Sequence, residues 1–221
     1  MTTKNNKLAP IVFCNIGWHP SYNGENSEKM INGGSYVTEN GTGNEIMNYL
    51  PFFVTDETTG EEKPMLLGSF ETKSYRGKSR QTCIEKIHGC EQLKKEAYAD
   101  GVTVVWCATS PKGKSCVVGW YKNATVCRNY DGVLIQNEEV GVWERVYNVY
   151  GAYEDAVLLP EKERYAKKWH IPRHNRNNPV EFGFGQANIW YASEPEAKDF
   201  VKQMIYNIET YDGEDIKPKA I

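Results

Sequence analysis

The chain has 221 residues, an apolar fraction of 40% and a formal net charge of −3. That length and composition support one folded domain, residues 1–221, with a real core, and they exclude a disordered chain. The acid excess argues against a protein whose whole surface binds polyanions, which leaves phosphate contacts to local basic patches.

No apolar run approaches the length of a membrane span. The first residues, "MTTKNNKLAP", lack the apolar segment of a secretory signal, so a cytoplasmic protein is expected. Six cysteines are present and none forms a C-x-x-C pair, which argues against a zinc knuckle. Cys14, Cys107, Cys116 and Cys127 sit in apolar runs and read as small buried hydrophobes.

In chain order, "IVFCNIGW" (11–18) reads as a buried strand. A long Gly/Asn-rich loop follows, spanning 19–50; a loop of that length in a compact domain is usually functional. Its glycine pairs, Gly33-Gly34 and Gly41-x-Gly43, permit tight turns. No G-K-[ST] follows them, which argues against a nucleotide-binding P-loop. "MLLGSF" (65–70) is a short strand. "KSYRGKSR" (73–80) carries four basic side chains and no acid. Residues 82–98 are compatible with a helix, through Ile84, Ile87, Leu93 and Tyr98, although Gly89 weakens it.

"VTVVWCA" (102–108) is a strand rich in β-branched and aromatic residues. "TSPKGKS" turns the chain, and "CVVGWY" returns as the second half of a hairpin. Further strands are expected at 133–136 and 141–150. Residues 164–176 hold five Lys or Arg and two His without an acid. His170 and His174 lie four apart, but Pro172 between them favours an extended segment, so no metal site is expected there. "GFGQANIW" follows, glycine-rich and then strand-like. The chain closes with a helix opened by a capping box, Ser193 to Glu196, with Ala197, Val201, Met204, Ile205 and Ile208 at helical spacing. The fold class expected is α+β: a twisted sheet or small β-barrel with flanking helices and the C-terminal helix packed on the sheet.

Trp120 and Tyr121 pose a specific question. Adjacent strand residues point to opposite faces of a sheet. One ring belongs in the core; the other must be covered by the Gly/Asn loop or by a ligand. Trp106 lies on the neighbouring strand, and Trp18 and Trp190 are further rings that could complete a wall. Aromatic walls that stack on both faces can hold an extruded base. Gln186 and Asn188 carry amides that can read a base edge, or can tie down their own loop. The two basic segments suit phosphate, or are solvated loops.

The stretch "GVTVVWCATSPKGKSCVVGWYKNATVCR" resembles the central hairpin of the PUA-like superfamily, which includes EVE, YTH, ASCH and SRA domains. The layout from "CNIGW" through "GGSYV" to "FGQANIWYA" is similar to modules of bacterial modification-dependent restriction systems, often fused to HNH nucleases. The resemblance implies a nucleic-acid-binding module, DNA before RNA, that recognises a modified or flipped base in an antiviral defence or restriction setting. No HNH module is present, so any cutting would fall to a separate nuclease partner. No cofactor is expected.

The expected roles are as follows. Trp106, Trp120, Tyr121 and Trp190 form ring walls. Gln186 and Asn188 contact the base edge. Arg76, Lys78, Arg80, Lys168, Arg173 and Arg176 contact phosphates. Two alternatives stand beside this reading, besides the plainer one that the aromatics are all core and the loops serve an unrelated small ligand. One is a nuclease or glycosylase drawing a carboxylate from Asp131, Glu138, Glu139, Glu144 or Glu45. The other is a protein-interaction regulator whose aromatic surface meets a protein.

Overall fold

A computed structural model describes residues 9–25, 29–33, 43–55, 58–72, 74–75, 78–79, 81–137, 141–174 and 180–220. For 74–75, 78–79, 136–137 and 141 only the backbone is described. The molecule is a mixed α+β fold built on one large sheet. Its strands are β1 (Ile11–Ile16), β2 (Pro51–Thr55), β3 (Glu62–Gly68), β6 (Tyr98–Thr109), β7 (Ser115–Asn137), β8 (Gly141–Ala152), β9 (Ala156–Leu158) and β10 (Ile189–Trp190). They lie in the order β10-β1-β6-β7-β8-β3-β2, with β9 added along β7. β1 runs parallel to β6, and the other pairings are antiparallel. A separate hairpin pairs β4 (Ser74–Tyr75) with β5 (Lys78–Ser79).

The β6–β7 hairpin forms where the sequence places it. Ser110 and Lys114 close its turn with a 2.8 Å backbone bond, and Gly113 supplies a φ of +75°. β7 is long and changes partners along its length. Its first half pairs with β6 and β9; from Thr125 on it pairs with β8, across a register break between Val126 and Asp131.

Around Trp120 and Tyr121 both faces of the sheet are covered, and each ring is core. Val12, Cys14, Val104, Trp106, Val118 and Tyr121 face one side. That side is roofed by Trp18, Tyr22, Ile46 and Tyr49 from the 17–50 stretch and by Ile84 and Ile87. Phe13, Val105, Cys107, Val117 and Trp120 face the other side, under Trp169, Phe184 and the C-terminal helix. A bulge at Val118, where Trp106 faces Gly119 but Cys107 faces Val117, shifts the alternation by one residue.

Two expectations on local structure need correction. Residues 82–98 form no helix. A 3₁₀ turn at Ile84–Lys86 leads into a chain of i to i+3 turns, Ile87 to Cys90, Cys90 to Leu93 and Leu93 to Glu96. Gly89, at φ +85°, breaks any helical path. The C-terminal helix is real, but its box is not. A short α1 (Glu161–Arg164) precedes it, and α2 (Lys198–Glu209) follows a 3₁₀ turn at Pro195–Ala197, with no side-chain cap bond on either start. Glu194 instead accepts from Trp190 Nε1 at 3.0 Å. Ala197, Val201, Met204 and Ile208 are buried as the spacing requires.

Candidate ligand-binding cleft

Glu45 sits on a 3₁₀ turn, Asn44–Met47, late in the Gly/Asn loop. It is only 7% exposed, yet it lines a cleft of about 240 Å³. Gly33 and Asn44 border the cleft from the same loop, Ser69 and Glu71 from the strand exit after β3, and Tyr130 and Val146 from β7 and β8.

A polar lattice ties down two of the lining residues, Ser69 and Tyr130. Asn48 donates to Ser69 O at 3.1 Å and accepts from Ser69 N at 2.9 Å. Asn148 does the same to Phe70, at 2.9 and 3.1 Å. Two asparagine amides thus replace the ladder where β3 ends. The Tyr130 hydroxyl donates to Phe70 O at 2.8 Å and accepts from Thr72 N at 2.9 Å. Tyr121 donates its hydroxyl to Asn48 O, so a core ring buttresses the turn that carries Glu45. These bonds hold the cleft walls before any ligand arrives.

Electrostatics single out Glu45. Burial pushes its carboxyl above the usual range, and the nearby Glu71 carboxylate pushes the same way. Backbone N–H groups of Glu45 and Gly17, and the Arg145 charge, oppose the rise without cancelling it. Arg145 is fully buried and spends its donors on carbonyls, Nη1 on Asn44 O at 2.6 Å and Nη2 on Leu67 O at 2.8 Å. Its Nε has no hydrogen-bond partner among the described residues. Burial lowers this guanidinium to about 10, so it stays charged at neutral pH.

The residues expected to bind a base are not gathered in one place. Trp106 and Tyr121 meet edge to face, 5.2 Å apart, on one side of the sheet. Trp120 packs on Trp169 at 5.3 Å and Trp190 on Phe13 at 4.8 Å, both on the other side. The four rings share no pocket, because the sheet stands between the two pairs. Gln186 is exposed. Asn188 ties its loop down: it accepts from Asn15 at 3.4 Å and donates to Glu71 O at 3.3 Å.

Among the expected phosphate contacts, Arg173 is committed to the fold. It donates to Asn15 Oδ1 at 2.6 Å and Ser115 Oγ at 3.1 Å, and its guanidinium lies over Phe184. Lys168 is exposed, with its amine 5.2 Å from the Trp169 ring. Arg76, Arg80 and Arg176 lie outside the described residues, and Lys78 is described only as backbone in β5. His170 and His174 turn to the carbonyls of Tyr165 and Val180, and the segment between them is extended, as Pro172 requires. Among the described residues no cluster of three or more His, Cys, Asp or Glu could hold a metal. No described helix is long and apolar enough to cross a membrane.

Of the carboxylates considered, Asp131 and Glu144 are exposed, Glu138 and Glu139 lie outside the described residues, and Glu45 alone is buried in a cleft. Arg145, Tyr130, Asn48 and Asn148 were not anticipated. The signal for Arg145 was there: a cation inside the apolar alternation of "GVWERVYNVY".

No protein-family model, curated protein or solved structure matches this chain.

Proposed function

We propose that the protein binds nucleic acid, DNA in preference to RNA, and holds an extruded or modified base in the Glu45 cleft. One observation carries this reading. Glu71, on the cleft wall, is followed two residues later by the basic stretch 73–80, within which the backbone of Ser74–Tyr75 pairs with that of Lys78–Ser79. In the sequence, then, a run of four cations follows closely on a residue of a small cleft, and a flipped base with its flanking phosphates calls for that pairing. The volume of about 240 Å³ suits a single ring system rather than a drug-sized ligand, for which roughly 300–1,000 Å³ is usual. In this reading the sheet is a variant of the PUA-like barrel. The protein is a cytoplasmic sensor in a restriction or defence system, and a separate nuclease does any cutting.

The test is fluorescence anisotropy at two salt concentrations. The panel is labelled single- and double-stranded DNA and RNA, plain and carrying methylated, hydroxymethylated or glucosylated bases. Binding that falls steeply with salt is expected, with a preference among bases that Glu45→Ala removes. The combined substitution of Arg76, Lys78 and Arg80 by Ala should weaken all sequences alike and flatten the salt slope. Absence of binding to every member at low salt refutes the proposal.

The two carboxyls of the cleft favour a second reading, an enzyme acting on the base. Glu45 is buried, with its carboxyl raised above the usual range by that burial, and Glu71 is exposed. Two carboxyls in unlike environments are the arrangement of an acid and its partner in glycosidic cleavage. Release of free base from a labelled oligonucleotide, lost in Glu45→Gln, would establish it.

A further inference from the structure

We infer that Glu45 meets its ligand as hydrogen-bond donor and acceptor at once, so the cleft takes a heterocycle edge that sets one acceptor beside one donor. This rests on the proposed base-binding role of the cleft. An ionised carboxylate is acceptor-only, whereas the protonated acid offers one O–H and one carbonyl oxygen. The ionised form therefore suits an edge with two adjacent donors, such as N1–H and N2–H of guanine. The neutral form suits the N3 and amino group of cytosine, or the N1 and amino group of adenine.

Burial favours the neutral form of Glu45, against the pull of the backbone N–H groups of Glu45 and Gly17. The side chain is buried in a narrow cleft. Arg145, the cation that acts on it, is bonded to the carbonyls of Asn44 and Leu67. Its remaining Nε–H has no hydrogen-bond partner among the described residues. Glu71 brings a second negative charge to the same cleft from the β3 exit. Tyr130 from β7 and Tyr22 from the loop are the other titratable groups that act with Glu45 among the described residues, and burial raises both phenols. Closing a base over the cleft removes more water and favours the uncharged acid further.

The test is the pH dependence of anisotropy between pH 5.5 and 8, on the tightest-binding oligonucleotide of the panel, for wild type, Glu45→Gln and Glu45→Ala. The glutamine amide keeps one donor and one acceptor but cannot ionise. Wild-type affinity is expected to fall with rising pH, approaching tenfold per unit once the free carboxyl is ionised. Glu45→Gln should bind at pH 8 as tightly as at pH 5.5, and Glu45→Ala weakly at both. A wild-type profile that is flat or rises with pH, or a glutamine variant as weak as the alanine variant, overturns this inference and leaves the nucleic-acid reading standing. Failure of the wild type to bind any oligonucleotide at either pH overturns both. Thermal melting of the two variants confirms that each is folded.

Discussion

Arg145 donates from Nη1 to the carbonyl oxygen of Asn44 at 2.6 Å, which ties the middle of β8 to the turn that presents Glu45. The same guanidinium reaches Leu67 O at 2.8 Å, so one buried side chain joins β8, the end of β3 and the loop. The bond is structural and electrostatic together. It fixes the turn, and it directs the cation's donors toward carbonyl oxygens.

Arg145→Met should therefore both destabilise the fold and loosen the cleft. The apolar chain fills much of the space but leaves two carbonyl oxygens without donors. A cost of about 2–4 kcal/mol is expected in urea unfolding. Arg145→Lys should recover only part of it, because an ammonium cannot reproduce the planar fork. A cost below 0.5 kcal/mol for Arg145→Met would show that the two bonds contribute little.

Trp120 is 1% exposed, enclosed by Trp169 and by Tyr211, whose ring stands at 90° to it. Trp120→Ala should cost about 3–5 kcal/mol through lost burial and the cavity left behind. Oligonucleotide affinity, measured on the folded fraction, should not change, since the ring is on the side of the sheet away from the Glu45 core. An unchanged melting temperature with weakened binding would return Trp120 to the role of a base-stacking wall.

The hairpin and the C-terminal helix were legible because their patterns are local. "VTVVWCA" and "CVVGWY" flank a Pro/Gly turn, and Val201, Met204 and Ile208 repeat at helical spacing. The site was not legible in the same way. Glu45 belongs to a loop that Asn48 and Arg145 tie to the end of β3 and to β8, at sequence separations that no local pattern records. The Trp120-Tyr121 pair was read correctly as facing both ways. The Gly/Asn loop was one of the two covers the sequence offered, and Trp18, Tyr22, Ile46 and Tyr49 do roof one face; what the sequence did not reveal was that Trp169 joins the C-terminal helix over the other. Asn188 shows the same limit: its amide could read a base, and only the fold shows it spent on Asn15 and the Glu71 carbonyl.

Gly119 is the point where β7 passes between Tyr49 and β9. A Cβ there would run into the Tyr49 hydroxyl and the Val157 carbonyl oxygen. The hydroxyl also donates to that carbonyl at 2.9 Å, so neither atom can withdraw without breaking a bond between the loop and the sheet. Gly119→Ala should cost about 3 kcal/mol. Pairing it with Tyr49→Phe should relieve part of that cost, and a double-mutant cycle would measure the coupling. Strictly additive losses would mean that the clash lies with the backbone carbonyl alone.

Glu45 should also leave a mark on stability as a function of pH. Its carboxyl is raised in the folded protein from the ordinary value of 4.5. Below pH 4.5 both folded and unfolded chains hold the proton, and the group's contribution is fully favourable. As pH rises, the unfolded chain releases its proton first, and folded stability is lost progressively until the folded carboxyl ionises too. Above that point the penalty is constant. Glu45→Gln removes the titration, so the difference in urea-unfolding free energy, variant minus wild type, should grow from pH 4.5 upward and then level off, with the variant gaining on wild type at neutral pH. A difference that moves the opposite way, with wild type gaining on the variant as pH rises, would mean that Arg145 and the backbone N–H groups outweigh burial and that Glu45 is held as an ion.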